Sequence, residues 1–370
     1  MNIITAYSTK GTIEEVAQEI KQQVGDFEAN MVLFFASSKF EPAKTAETMQ
    51  NAFANAHVFG CTTAGEIVTG KMLKNAVVAM AFNSKVIGDV KIEVIENLKE
   101  NGIEGVEKAY AGFENHFGLP MRELDFHKYV GLVLFDGLSY AEEKVMDRMG
   151  DLTNVLFVGG SAGDDLKFET TYLYANGKVY TNAAILALLK PTVNFGFIKT
   201  QSFCQLSKKL VATKVNEIER TILEFNNKPA TIAYAEAVGT TLEKISTRFM
   251  HNPVGLMIDD EPYVRSPQQI KDDHMVFYCN VLEGTELALL ESADIIHDTQ
   301  KAIEDKQQEM SSISGIINFH CILRTLELEQ KGLIDSYGQI FSDIPTIGFS
   351  TYGEEYIGHI NQTSTMLVFE

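Results

Sequence analysis

The sequence predicts an α+β fold in which two related domains of mixed β-sheet pack against helices. Short apolar runs bounded by Gly, Asn and Ser alternate with windows of helical spacing along the chain. One segment of the chain is also repeated. Hydrophobic residues make up 45% of the 370 residues, as in an ordinary globular protein. That length exceeds what one hydrophobic core usually holds, so we expect two domains, residues 1–215 and 216–370.

A turn rich in small residues and ending in an acid occurs three times. GCTTAGE at 60–66 aligns with GFSTYGE at 348–354, and the match continues without a gap from NAVVAMAF into TSTMLVFE. We align a third copy, VGGSAGD at 158–164, whose partner strand NAAILALL follows a longer insertion. The repeated unit is strand–helix–strand–turn–strand–strand. Duplication of this unit predicts mixed sheets that pack against helices.

An apolar strand and then a helix precede each copy of the turn. These predicted strand and helix pairs are 32–36 with 42–54, 132–135 with 140–149, and 316–319 with 326–331. A degenerate fourth copy is predicted from a helix at 230–249 and a strand at 254–259. A further helix is expected over 292–307, with Ser292 as its N-cap and Asp294 in its first turn.

Charge and hydropathy exclude several classes of function. The formal net charge is −19, whereas nucleic acids and anionic membranes attract basic patches. The apolar runs at 76–82 and 183–189 are far shorter than the roughly 20 residues of a membrane span. The first residues, through Ser8, are typical of a strand and not of a signal peptide. Four dispersed cysteines fit a reducing compartment. We therefore expect a cytoplasmic protein that neither binds nucleic acid nor inserts into membranes.

The chemistry of the repeated turns allows a binding pocket. Glycine lets a backbone approach a ligand closely, and successive N–H groups can form a concavity for an anion. Nearby hydroxyls add donors, and the acids that follow could accept from an ammonium group. The alternative is structural, because Gly, Ser and Thr are common wherever a turn or a cap is needed. The turn residues considered for binding are Thr62, Thr63, Ser161, Gly163, Asp164, Ser350, Gly353 and Glu354.

Short motifs along nearly the whole chain resemble those of the FIST family. The copies around Gly60 and Gly163 resemble the FIST N domain, together with Tyr174-x-Asn176-Gly177 and the following Pro229-Ala230…Tyr234. The later half resembles the FIST C domain. Its matching features are His251-x-Pro253, Arg265, Glu283-Gly284, Cys321-x-x-Arg324, and Gly348-Phe349…Gly353-Glu354 followed by Asn361-Gln362-Thr363.

The resemblance implies a sensory protein that binds a small ligand such as an amino acid or a carboxylate. Members of this family occur fused to chemoreceptor, histidine kinase and cyclic-dinucleotide modules. No output module follows the repeats here, so we expect the signal to pass to a separate partner of that kind. Arginine is the natural bidentate partner of a carboxylate. Besides the turn residues, the predicted ligand contacts are Arg265, Cys321, Arg324 and Asn361.

Three other functions remain as alternatives. Some family members resemble haem-dependent nitric oxide sensors; His320-Cys321, His251 and His359 are the candidate axial ligands, although we expect no cofactor. Catalysis by a Cys321 thiolate is disfavoured because adjacent strand residues point to opposite faces, which places His320 badly. No phosphate loop, HExxH helix or nucleophile elbow occurs, so we predict no enzyme and no metal. The last alternative is a protein-interaction module.

Overall fold

The computed structural model describes residues 2–259 and 261–370 and confirms the α+β class. Met1, part of the predicted first strand, lies outside the described residues. Short 3₁₀ helices occur at Met121–Glu123 and Leu242–Arg248. The α-helices are α1 (Ile13–Val24), α2 (Pro42–Ala52), α3 (Leu98–Phe117), α4 (Glu142–Leu152), α5 (Ala230–Val238), α6 (Ile295–Glu309), α7 (Ile322–Lys331) and α8 (Ile334–Gln339).

Strands cover the apolar runs predicted at 32–36, 132–135 and 316–319, and others occur in polar segments. The strands are β1 (Ile3–Ser8), β2 (Met31–Ser37), β3 (His57–Thr63), β4 (Glu66–Val68), β5 (Lys71–Leu73), β6 (Val77–Phe82), β7 (Ile87–Glu96), β8 (Val130–Phe135), β9 (Phe157–Ser161), β10 (Leu173–Ala175), β11 (Lys178–Tyr180), β12 (Ala183–Pro191), β13 (Phe195–Gln201), β14 (Phe203–Asn216), β15 (Thr221–Phe225), β16 (Lys228–Pro229), β17 (Val254–Ile258), β18 (Glu261–Arg265), β19 (Pro267–Lys271), β20 (His274–Phe277), β21 (Glu286–Ser292), β22 (Gly315–Cys321), β23 (Thr346–Thr351), β24 (Glu354–Tyr356), β25 (His359–Ile360) and β26 (Thr363–Phe369).

The chain forms two compact units. The first contains residues 1–199, 300–359 and 364–370, and the second contains residues 200–299 and 360–363. In chain order, the first, second and third repeats begin at β1, β7 and β13, and most of each belongs to the first unit. The second unit interrupts the third repeat in the chain, between β13 and α6. The other repeats have only a helix in this place, α1 after β1 and α3 after β7.

Each repeat builds four strands of one sheet in the same order. The strand orders are β1-β6-β2-β3, β7-β12-β8-β9 and β13-β26-β22-β23. The last two strands of each set, β2–β3, β8–β9 and β22–β23, are parallel. Helical segments join the two strands of each pair, as the repeated unit predicts.

The repeats exchange the short hairpins that complete these sheets. The first repeat's hairpin β4–β5 pairs with β23 of the third, and the second repeat's β10–β11 pairs with β3 of the first. The third repeat's β24 in turn pairs with β9 of the second. Each sheet therefore depends on two repeats, and the exchange closes into a ring.

One glycine in each repeat fixes how the three copies correspond. A Cβ on Gly60 would lie 1.7 Å from the carbonyl oxygen of Phe34, and one on Gly159 would lie 1.7 Å from that of Val133. At Gly348 the corresponding distance, to the carbonyl oxygen of Asn318, is 2.3 Å. The structure thus equates Gly159, and not residue 158, with Gly60 and Gly348. Our alignment of VGGSAGD at 158–164 with the other two turns was therefore wrong by one residue, because the pair Gly159-Gly160 allows two alternative registers.

The inner faces of the three sheets share one core. Phe35 of the first sheet lies 4.4 Å from Phe349 and 6.4 Å from Phe319 of the third, measured between ring centroids. Leu134 and Ile185 of the second sheet belong to the same buried cluster. On their outer faces, the first and second sheets pack against their helices through two further apolar clusters.

The second unit contains one antiparallel sheet, ordered β18-β17-β21-β14-β15-β20-β19, with β16 on β15. Every pairing described in this sheet is antiparallel, so the predicted fourth copy of the repeat is wrong. The predicted helix near residue 292 starts later than expected. Ser292 ends β21, and Asp294 caps α6 by accepting the backbone N–H groups of Ile296 and His297. Across the described residues, no helix is both long and apolar enough to span a bilayer.

The close approach at Gly159 leads to a prediction about stability. Gly159→Ala should cost about 3 kcal/mol or more, because its methyl group would collide with a backbone oxygen that cannot move aside. Gly150→Ala is the matched control: it lies within α4 with open space at its Cβ, so it should stabilise by about 0.5–1 kcal/mol. Urea unfolding measures both. Equal effects of the two substitutions would contradict the assigned register.

A buried polar cluster in the third repeat

The three repeated turns meet, and their backbones hydrogen-bond in a closed cycle. Ala64 N–H donates to Ser350 O over 3.1 Å, Tyr352 N–H to Ser161 O over 3.1 Å, and Gly163 N–H to Thr62 O over 3.0 Å. The structure thus brings together turn residues that the sequence singled out. These N–H groups already have acceptors within the protein, so they are not available as an anion cradle.

Side chains of the first turn also have internal partners. Thr62 Oγ1 accepts the backbone N–H of Tyr172 at 2.9 Å. The Thr63 hydroxyl donates to Glu66 Oε1 at 2.5 Å, and the other carboxyl oxygen of Glu66 accepts the Ala76 N–H at 3.1 Å. Burial raises the pKa of Glu66 to about 8, because these hydrogen bonds only partly offset the loss of water.

Asp164 organises the loop that follows the second turn. Its carboxylate accepts the hydroxyl of Tyr352 and the backbone N–H groups of Phe168, Glu169 and Thr170. Burial alone would raise the pKa of this carboxyl, but the hydrogen bonds outweigh burial and lower it. Tyr352 also stacks on Phe168, with 4.8 Å between ring centroids. Asp164 thereby links the second repeat to the third.

The second and third turns lead into a second group of buried carboxyls. Ser161 Oγ donates to Glu142 Oε1 at 3.2 Å. Glu355 accepts from His359 Nδ1 at 2.8 Å, and burial raises the pKa of Glu355 to about 7 despite this partner. A Cβ on Gly353 would lie 2.1 Å from the His359 ring, which explains the glycine. Glu354, also fully buried, lies beside them in β24.

Two predicted contacts belong to the second unit. Arg265, on β18, donates to the carbonyl oxygens of Asn280 and Val264 at 3.1 and 3.2 Å. Asn361 accepts from the Cys279 thiol over 2.6 Å. Within this unit, both residues have roles in holding the backbone or a neighbouring side chain.

The outer face of the third sheet differs from its two counterparts. Adjacent positions on three neighbouring strands carry Ser350, His320 and Ser364, all fully buried. The position of His320 is occupied by Ala36 in the first repeat and by Phe135 in the second, and both belong to apolar clusters. Of these three residues, only His320 and Ser364 replace apolar residues, because the counterparts of Ser350 in the other repeats are also buried and polar.

This set of residues forms a hydrogen-bonded polar cluster beneath α7 and α8. Asn318 Nδ2 donates to the Tyr337 hydroxyl at 3.4 Å and Asn318 Oδ1 accepts from Ser364 at 2.7 Å. The hydroxyls of Thr325 and Ser350 lie 2.7 Å apart. We use "polar cluster" for the following residues: Asn318, His320, Thr325, Tyr337, Ser350 and Ser364.

His320 is the exception within the cluster. Its ring lies 4.5 Å from that of Tyr337, yet neither ring nitrogen has a hydrogen-bond partner, and the residue is 0% exposed. Burial lowers the pKa of His320 well below its usual value, and the nearby Arg324 charge lowers it further. The imidazole is therefore neutral at pH 7 and offers one donor and one acceptor.

Arg324 and Cys321 lie at the start of α7, next to the cluster. Arg324 is 1% exposed and close enough to His320 to influence its titration. Cys321 is the residue before the helix and is also buried. A buried guanidinium is costly unless anionic or hydrogen-bonding groups compensate its charge.

The surroundings of His320 do not fit a haem. An axial histidine needs a broad apolar slot for the macrocycle beside it. His320 instead has Ser350 and Ser364 on the neighbouring strands, with Arg324 near its ring. The described residues also contain no group of three or more His, Cys, Asp or Glu side chains positioned to hold a metal ion.

Sequence reasoning missed four members of the cluster, namely Asn318, Thr325, Tyr337 and Ser364. A signal was present, because Asn318 and His320 alternate within a strand whose counterparts in the other repeats are apolar. Aligning the three strands position by position would have shown which face of the third sheet is polar.

Comparison with known proteins identifies this kind of molecule. The fold defines a repeat-built α+β protein with a buried polar cluster in one repeat. The FIST N domain matches residues 30–228 and the FIST C domain matches residues 230–356. The chain therefore belongs to the FIST family, whose domains are associated with sensory and signal-transduction function.

A relative from Methanocaldococcus jannaschii is described as an uncharacterized protein. It is 20% identical over 324 residues, which cover 82% of this chain and 61% of that protein. The chain thus spans less than two thirds of this relative's length.

The raised pKa of Glu66 predicts a pH-dependent stability. A carboxyl with a folded-state pKa near 8 takes up a proton on folding between about pH 4.5 and 8, so its contribution to stability falls as pH rises through this range. Glu66→Gln mimics the protonated group and should flatten stability over this range, making the variant more stable than wild type at pH 8. Glu47→Gln, an exposed substitution on α2, is the control. Denaturant titrations at pH 5–8 that give parallel profiles for wild type and Glu66→Gln would refute the prediction.

Proposed function

We propose that this protein is a cytoplasmic, non-enzymatic sensor that binds a small carboxylate-bearing ligand, such as an amino acid or another small carboxylic acid. The binding site lies at the polar cluster of the third repeat. The signal passes to a separate signalling protein, such as a histidine kinase or a chemoreceptor. The observation that carries the proposal is that Asn318, His320 and Ser364 are fully buried polar residues at positions that are apolar in the other two repeats.

The energetics of burial support this proposal. A buried polar atom without a partner costs about 1–3 kcal/mol, and an apolar residue at the same position has no such cost. Ala36 and Phe135 demonstrate that the fold accepts apolar residues there. The unsatisfied imidazole of His320 therefore indicates a role outside folding, and ligand recognition is the role that the family suggests.

Arg324 supplies the charge for a carboxylate ligand. A guanidinium binds a carboxylate through two parallel hydrogen bonds, and such bonds are stronger in a buried setting. The predicted contacts in the turns, together with Arg265, Cys321 and Asn361, remain proposals for the rest of the site.

A thermal-shift panel tests the proposal. The probes are acetate, propionate, L-lactate, L-alanine, succinate, L-malate, L-aspartate and L-glutamate, with spermidine as a cationic control. A ligand at about 100 times its dissociation constant stabilises the native state by roughly 2.7 kcal/mol, which corresponds to a rise in Tm of about 5–10 °C. If none of the carboxylates raises Tm, the sensor proposal is wrong and the interaction-module alternative gains support.

Arg324→Lys tests the site. Lysine keeps the positive charge but loses the bidentate geometry, so affinity for the active carboxylate should fall about 10–100-fold. Arg148→Lys is the matched control, because Arg148 lies on α4, the second repeat's counterpart of α7, and pairs with Glu107 at the surface. Isothermal calorimetry measures the affinities, and circular dichroism verifies folding. Unchanged affinity in a folded Arg324→Lys variant would remove Arg324 from the site.

A further inference from the structure

The polar cluster can solvate a neutral hydrogen-bonding group better than a second positive charge. Besides the neutral imidazole of His320, the cluster consists of one amide and four hydroxyls, three aliphatic and one phenolic. A carboxylate ligand can accept from the Arg324 guanidinium. An ammonium on the ligand would bring a second positive charge near the buried Arg324, and taking that charge out of water is expensive.

The buried carboxyls of the same unit already have partners of their own. Glu66 accepts from Thr63, Glu327 from Lys331 and Glu355 from His359. Glu354 and Glu355 lie in the sheet of the second repeat, paired with Gly160 and Gly159. Those two residues therefore lie outside the third sheet, whose outer face carries the cluster, whereas Glu66 begins β4 of that sheet and has both carboxyl oxygens hydrogen-bonded.

His320 is matched to a hydroxyl group. Its neutral ring has one nitrogen that donates and one that accepts, and both lack partners. A hydroxyl likewise donates and accepts, so it can bond to this ring without introducing charge. His320 pairs in register with Ser350 and Ser364, whose hydroxyls lie on the same face of the sheet.

From these observations we infer that the protein recognises a hydroxy acid, with its carboxylate at Arg324 and its hydroxyl at His320. This inference rests on the proposed function and narrows its ligand class from carboxylates in general. It makes His320 the residue that determines specificity between hydroxy, amino and unsubstituted acids.

Two isosteric series of probes test this inference. The first is L-lactate, L-alanine and propionate, and the second is L-malate, L-aspartate and succinate. Within each series only the substituent on one carbon changes, from hydroxyl to ammonium to hydrogen. In whichever series binds, calorimetry should give the hydroxy acid an affinity about tenfold or more above the other two.

Substitutions at His320 distinguish recognition from a structural role. His320→Phe installs the residue found at the equivalent position of the second repeat, so the unliganded protein should melt at the same or a higher temperature. The variant should bind the hydroxy and unsubstituted acids equally. His320→Gln retains one donor and one acceptor and should restore part of the preference. His116→Phe, at an exposed histidine on α3, should leave the preference unchanged.

The outcomes separate the two proposals. If the amino acid or the unsubstituted acid binds tightest, the hydroxy-acid inference is wrong while the sensor proposal stands. If no probe of either series binds and His320→Phe lowers the melting temperature, the imidazole has a structural role and both proposals fail. A hydroxy-acid preference that survives in His320→Phe would also overturn the inference.

Discussion

The exchange of hairpins among the three repeats is the constraint on which the first unit depends. Each sheet is completed by strands from another repeat, and the closed cycle of backbone hydrogen bonds between Ala64, Ser350, Tyr352, Ser161, Gly163 and Thr62 lies where the three turns meet. Since no repeat can complete its own sheet, the three must fold as one body. The small residues of the turns are explained by this crowding, with Gly353 against the His359 ring as the clearest case.

Within this symmetric frame, the third repeat departs from the other two in two ways. Its sheet buries Asn318, His320 and Ser364 on the outer face, at positions where the other repeats have apolar residues. Its chain is also the one interrupted by the second unit, between β13 and α6. Both departures therefore fall in the same repeat.

Periodicity and repetition in the sequence predicted the elements of the first unit well. The strands near Val32, Leu132 and Ile316 and the helix at Pro42 lie where expected, because apolar patterning reports burial directly. Hairpin exchange was not predictable, since a short strand such as Glu66–Val68 can pair with any exposed edge and its own sequence does not select one. The site was only partly anticipated. Arg324 and Ser350 were identified from motifs, whereas Tyr337 and Ser364 come together only through tertiary packing.

Hairpin exchange also affects the order of events during synthesis. The edge of β9 stays open until the third repeat's hairpin emerges, and the hydrogen bond from Thr351 to Ser161 spans 190 residues. At about 5–20 residues per second, translation takes about 10–40 s to cover that interval. An unpaired edge is a template for association with other chains. During this interval the unpaired edge of β9 exposes the nascent protein to aggregation, and chaperones that bind the edge can determine the yield of folded protein.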